Sequence, residues 1–150
     1  MTMPFLKMLL EHDVRFVVIG GQAMRHLGMP RFTMDWDIFI PHDDKDNFER
    51  INEALTEIDE MPVVPLGPKG ENFVQTYQTP WGVVQFHLRP VGVSDFNLLE
   101  KNAQLNENGI KYACAEDMLA AKQAVNRPED QLDIEFLREK SDVGGDLQNQ

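Results

Sequence analysis

At 150 residues, with 42% apolar and 26% charged side chains, the chain is expected to form one soluble domain with a single sizeable core. No apolar run approaches the ~20 residues that span a bilayer, the first ten residues lack a signal-peptide pattern, and Cys114, the sole cysteine, allows no intrachain disulfide, so a cytoplasmic setting is expected. The net charge of −11 argues against gripping long duplex nucleic acid and leaves a small substrate or a basic protein partner as the easier ligands.

Between residues 3 and 12, Phe5, Leu6, Met8, Leu9 and Leu10 recur at mostly helical spacing. Residues 14–19 are apolar without alternation, which predicts a central strand covered on both faces. Gly20 and Gly21 then open a short helix, Gln22 to Leu27, which Gly28 and Pro30 stop. Residues 34–40 predict a second strand ended by Pro41. Asp43 and Asp44 signal a helix through Ile58, with Phe48, Ile51 and Leu55 on its buried stripe.

Residues 62–70 hold three prolines and two glycines and form a loop. Residues 73–78 and 83–88 predict two strands joined as a hairpin through Thr79, Pro80, Trp81 and Gly82. A helix is expected around Leu98 to Leu105, a last short strand from Gly109 to Tyr112, and a helix from Glu116 to Val125. Pro128 opens a further helix, packed through Ile134 and Leu137. The single domain is expected to cover 1–140, with 141–150 a frayed polar tail. The class is α+β, with a mixed, partly antiparallel sheet of about four to five strands flanked by helices.

Asp35 and Asp37 stand two apart in the second predicted strand, so both carboxylates are expected on one face. Burying two adjacent anions costs several kcal/mol in order of magnitude unless something compensates. A hard divalent ion such as magnesium prefers carboxylate oxygen and keeps positions open for phosphate and water. The strand that ends on Gly20 and Gly21 turns into a helix whose first N–H groups would face an anion. These are two halves of a nucleoside triphosphate site. Elsewhere the residues leave more than one reading open. Lys122, Arg127, Asp130 and Asp133 suit a salt-bridged helix surface as well as a site, and His87 suits a packed histidine as well as a base. Cys114, in an apolar stretch, reads as an inert buried thiol.

The run Gly20, Gly21, Gln22, Ala23 followed by Arg31, Phe32, Thr33, Met34, Asp35, Trp36 and Asp37 resembles the signature of the nucleotidyltransferase superfamily with the polymerase-beta-like fold, especially its small bacterial members. That signature is a strand ending in Gly-Gly or Gly-Ser, a helix, then Arg-x-Thr/Ser-x-Asp-hydrophobic-Asp. A second block, Glu116 to Lys122 followed by Arg127, Asp130 and Asp133, is similar to one in bacterial relatives that include components of toxin–antitoxin systems. The resemblance covers residues 14–138.

It implies a nucleotidyltransferase-like fold and transfer of NMP from an NTP to a hydroxyl acceptor of unknown identity. Asp35 and Asp37 would hold magnesium (or manganese), with Gln85 in the third ligand position. Gly20, Gly21, Arg31, Thr33 and Lys122 would meet the nucleotide, and Asp35, Asp37 and His87 would act in catalysis. The departure is Gln85. Active members carry a carboxylate there, on a strand following a glycine such as Gly82, whereas this chain has Gln85 and then His87 on the same strand face. That departure motivates an alternative, a lapsed relative that binds nucleotide or metal and acts as a regulatory or toxin–antitoxin-type interaction protein.

Overall fold

The computed structural model describes residues 3–30, 32–93 and 95–148, with side chains to residue 141. Helix α1 (Pro4–Glu11) begins on a proline, whose missing N–H is no loss in a first turn, and buries Phe5, Leu6 and Leu9 completely. It is followed by β1 (Val17–Ile19), α2 (Gly20–His26), β2 (Trp36–Phe39) and α3 (Lys45–Glu57). Next come β3 (Val74–Thr79), β4 (Gly82–His87), α4 (Phe96–Asn102), β5 (Gln104–Leu105) and β6 (Lys111–Tyr112). Helix α5 (Ala115–Val125), a 3₁₀ turn (Pro128–Asp130) and α6 (Gln131–Gln148) complete the order. Helix α6 thus runs through most of the stretch expected to fray. None of the described helices is long and apolar enough to cross a membrane.

The strands form one six-stranded sheet in the order β3-β4-β2-β1-β6-β5. β1 pairs antiparallel with β2 and parallel with β6, β2 runs parallel to β4, and the β3–β4 and β5–β6 pairs are antiparallel. This is the mixed α+β architecture that the resemblance implies, with β5 and β6 added at one edge. Leu105, expected at the end of a helix, lies instead in β5 and is exposed, so no apolar alternation marks that strand.

Side-chain alternation divides the sheet into two unlike faces. On one, Ile38, Val84 and Phe86 are fully buried, with Leu88 just beyond β4 at 1% exposure. Phe86 takes edge contacts from Phe5 of α1 and Tyr77 of β3, with ring centroids 6.3 and 5.7 Å away. The other face carries Ile19, Asp37, Gln85 and His87, brought side by side by the pairings Ile19↔Asp37, Asp37↔Gln85 and Phe39↔His87.

The entry to β1 is tied to the start of α3. Asp44 caps α3 by accepting the N–H of Asn47, and it also pairs with Arg15 at 3.1 Å. The Asn47 side chain, only 1% exposed, accepts the Arg15 N–H at 2.7 Å and donates to the Arg15 carbonyl at 3.0 Å. Asn47→Ala strands both backbone groups in a buried setting, and each orphaned group costs about 1–3 kcal/mol. Urea unfolding should show stability lower by about 2–3 kcal/mol with the denaturant slope unchanged.

Candidate functional site

The polar face of the sheet opens into a cavity of about 400 Å³. Ile19, Gly20, Asp37 and His87 line it from the sheet side, and Lys122 of α5 and Arg127 beyond that helix line it as well. His87 Nε2 lies 2.8 Å from Asp37 Oδ1, with the two side chains 18% and 22% exposed. An ionised carboxylate has no proton to give, so the imidazole Nε2–H donates, and Nδ1 of a neutral ring is left as an acceptor.

The other carboxylate oxygen of Asp37 occupies the space that a side chain at position 20 would need. A Cβ built on Gly20 would lie 2.5 Å from Asp37 Oδ2, and Gly20 has φ +68°, a left-handed conformation that suits glycine. The diglycine turn and the second aspartate of the Asp-x-Asp motif therefore converge on one point. Gly21 faces Thr33 instead, where a Cβ would come within 3.1 Å of the hydroxyl oxygen. Thr33 Oγ1 donates to the Asp35 carbonyl at 3.4 Å, and Gln22 Nε2 donates to the Thr33 carbonyl at the same distance. These bonds hold the segment before β2 against the first turn of α2.

Asp35 itself is exposed, one residue ahead of β2, and it is not part of the cavity wall. Gln85 is the cross-strand partner of Asp37 and is half-buried. Arg31 lies outside the described residues. Among the described residues, no group of three or more His, Cys, Asp or Glu side chains is placed to hold a metal ion. Of the two aspartates expected on one strand face, Asp37 lies in the cavity, whereas Asp35 precedes the strand and lies outside the cavity, so the cavity offers one carboxylate of the pair. That suits a magnesium ion that takes one or two carboxylates and completes its shell with substrate phosphate and water, and does not suit a closed protein cage.

Lys122 donates to Asp130 Oδ1 at 3.2 Å and pairs with Asp133 Oδ2 at 3.1 Å. Arg127 binds both oxygens of Asp130, through Nε at 2.9 Å and a terminal nitrogen at 3.1 Å. Asp130 is only 2% exposed, and the Arg127 guanidinium, helped by Lys122, holds its carboxyl far below the usual carboxylate range. A carboxyl depressed on folding stabilises the fold above its unfolded value of about 3.9 and loses that contribution as pH falls through its lower folded value. The stability advantage of the native chain over Asp130→Asn should accordingly be full at about pH 7 and shrink by about pH 3, read by urea unfolding.

Arg89 also lines the cavity and was not singled out from the sequence. The signal was available, since it continues the alternation Gln85, His87, Arg89 on the polar face. Cys114 is buried, and burial pushes its thiol up to about 12, which leaves it without nucleophilic character.

A family model described as nucleotidyl transferase AbiEii toxin, type IV TA system, matches residues 5–80. No curated protein matches the chain significantly. The matched segment includes both the diglycine turn and the Asp-x-Asp motif.

Proposed function

The chain belongs to the family of nucleotidyl transferase AbiEii toxins of type IV toxin–antitoxin systems, and from that premise we propose that the Asp37 cavity transfers NMP from an NTP to a hydroxyl acceptor. The observation that carries this reading is the convergence of Gly20 on Asp37, which puts a helix start and an anchored carboxylate at one cavity. Asp37 and Asp35 are the residues that would hold magnesium or manganese, with the Gln85 carbonyl oxygen as a neutral third donor. Bound there, the ion supplies neutralisation of triphosphate charge.

The protein's own groups have separable tasks. N–H groups in the first turn of α2 have no partner within the helix; Gly20 brings that turn to the cavity, where they would meet the phosphates, and Gly21 supports the turn against Thr33. Thr33 fixes the loop that presents Asp35, and the resemblance assigns Arg31 to the nucleotide. Lys122 has three N–H donors, two of them committed to Asp130 and Asp133, and offers the third to phosphate. His87, oriented by Asp37, takes the acceptor hydroxyl proton on Nδ1 as the oxygen attacks the α-phosphorus and pyrophosphate departs. Positioning and charge neutralisation account for most of the acceleration.

The test is incubation with each of the four α-labelled NTPs, magnesium or manganese, and cellular RNA or protein as acceptor. Label should enter a product and EDTA should prevent it. An Asp35→Asn/Asp37→Asn double variant that transfers as well as the native chain would eliminate the mechanism.

A second reading is favoured by one observation, Gln85 in register with Asp37 where relatives place an acid. On that reading the chain binds NTP without turnover and acts through a protein partner in the cytoplasm, engaged by its acidic surface. Calorimetry separates the two, because tight metal–NTP binding with no product on prolonged incubation supports the second.

A further inference from the structure

We propose that Arg89 is the principal phosphate-contacting residue of the Asp37 cavity, an inference that rests on the nucleotide-binding reading above. Three cationic side chains line the cavity: Arg89, Lys122 and Arg127. Two of them are committed. Lys122 lies between Asp130 and Asp133, and Arg127 pairs with Asp130 and, at 3.5 Å, with Glu129. Arg89 is exposed, and among the described residues it has no carboxylate partner. Its guanidinium is the cation free to change partners when an anion enters.

Its position is fixed by the backbone. The β3–β4 ladder continues past β4, with the Leu88 N–H donating to the Phe73 carbonyl at 2.8 Å. Leu88 is buried at 1% exposure, and Arg89 lines the cavity together with His87 and Asp37 while also bordering a second, smaller cavity with Asp43 and Asp95. The turn that follows is seated on α5. A Cβ at Gly92, where φ is +81°, would lie 2.7 Å from the Ala121 carbonyl oxygen, one residue before Lys122. The Val93 N–H closes this turn onto the Pro90 carbonyl at 3.3 Å. Arg89 therefore rises from a segment braced on both sides, by β3 at Phe73 and by α5 at Ala121.

The charge balance of the wall requires such a group. Asp37, Asp117 and Asp130 also line the cavity, and Lys122 and Arg127 are already matched to carboxylates. A triphosphate entering that field needs an uncommitted cation, and the planar fork of arginine meets two phosphate oxygens at once.

The experiment begins with calorimetry of the native chain against ATP, GTP, CTP and UTP in magnesium, to find the nucleotide bound most tightly. Arg89→Met should weaken that NTP by about tenfold or more, with a shallower salt dependence, and Arg89→Lys should recover part of the loss. The matching nucleoside, which lacks phosphate, should bind the native chain and Arg89→Met alike in saturation-transfer NMR. Unchanged melting temperatures would certify the fold of both variants. Arg89→Met binding the NTP as tightly as the native chain overturns the assignment and leaves the nucleotide reading standing. Equal weakening of nucleoside and NTP also overturns it, by making Arg89 a structural residue. A native chain that binds none of the four NTPs overturns the nucleotide reading and this inference together.

Discussion

Asp37→Asn should lower the turnover rate of nucleotidyl transfer by about a thousandfold, a loss of the size seen when a transition-state electrostatic group is removed. The substitution keeps the shape and removes the charge. The amide introduced by Asp37→Asn can still accept the His87 N–H through its carbonyl oxygen, so the 2.8 Å contact need not be lost. What disappears is the anion that both orients His87 and offers its other oxygen beside Gly20. Asp35→Asn should cost less, because Asp35 is exposed and stands outside the cavity wall. The ranking is the informative result, measured as labelled NMP transferred at saturating magnesium. Stability should hold or rise in Asp37→Asn, since a half-buried charge kept for function is a common source of functional cost. Equal losses from the two single variants would mean that Asp35 and Asp37 contribute alike, contrary to their different surroundings.

The sequence put both aspartates and the diglycine turn at one cavity, and the structure brings Gly20 and Asp37 there while Asp35 stays outside it; the half that agrees is covalently local. An apolar strand, a diglycine turn, a short helix and a returning strand leave few ways to pair, and the antiparallel register Ile19↔Asp37 follows. The hairpin was legible for the same reason, although Thr79 and Gly82, expected in the connection, are the last pair of the ladder. The start of β2 was not. Met34 and Phe32 look like strand residues, yet they are 71% and 89% exposed, in a segment tethered through Thr33 rather than through the sheet. Apolar alternation cannot distinguish a strand from a loop that happens to carry apolar side chains, and Asp35 changed its surroundings with that boundary.

The ion pairs of Lys122, Arg127, Asp130 and Asp133 match the salt-bridged reading that the sequence left open, but their geometry was hidden for a different reason. Asp130 and Asp133 lie beyond Asn126, whose left-handed φ of 52° ends α5, and beyond the turn that Pro128 begins. Helical periodicity stops at such a break, so spacing along the chain could not say that the two acids fold back onto one ammonium. Arg89 was missed where the predicted strand ended at Leu88, although the backbone ladder continues for that one residue and fixes the next.

Gly20→Ala probes the shared corner without touching a charge. A methyl group there would lie 2.5 Å from Asp37 Oδ2, closer than real side-chain contacts allow, so the carboxylate must turn away. Turning it disturbs the 2.8 Å bond from His87, and the carboxylate lining the cavity changes its aim. The left-handed φ of +68° adds a backbone penalty of about 1–2 kcal/mol for a residue with a Cβ. Transfer should fall by about a hundredfold or more, the scale of a displaced catalytic group, while denaturant unfolding shifts by that backbone penalty and the cost of the disturbed bond. Gly21→Ala is the matched control. Its φ is not in the left-handed range, and its Cβ would meet Thr33 at 3.1 Å, a contact that a few tenths of an ångström relieve. A chain carrying Gly20→Ala that loses stability but transfers at the native rate would show that the corner shapes the fold and that the chemistry is done elsewhere.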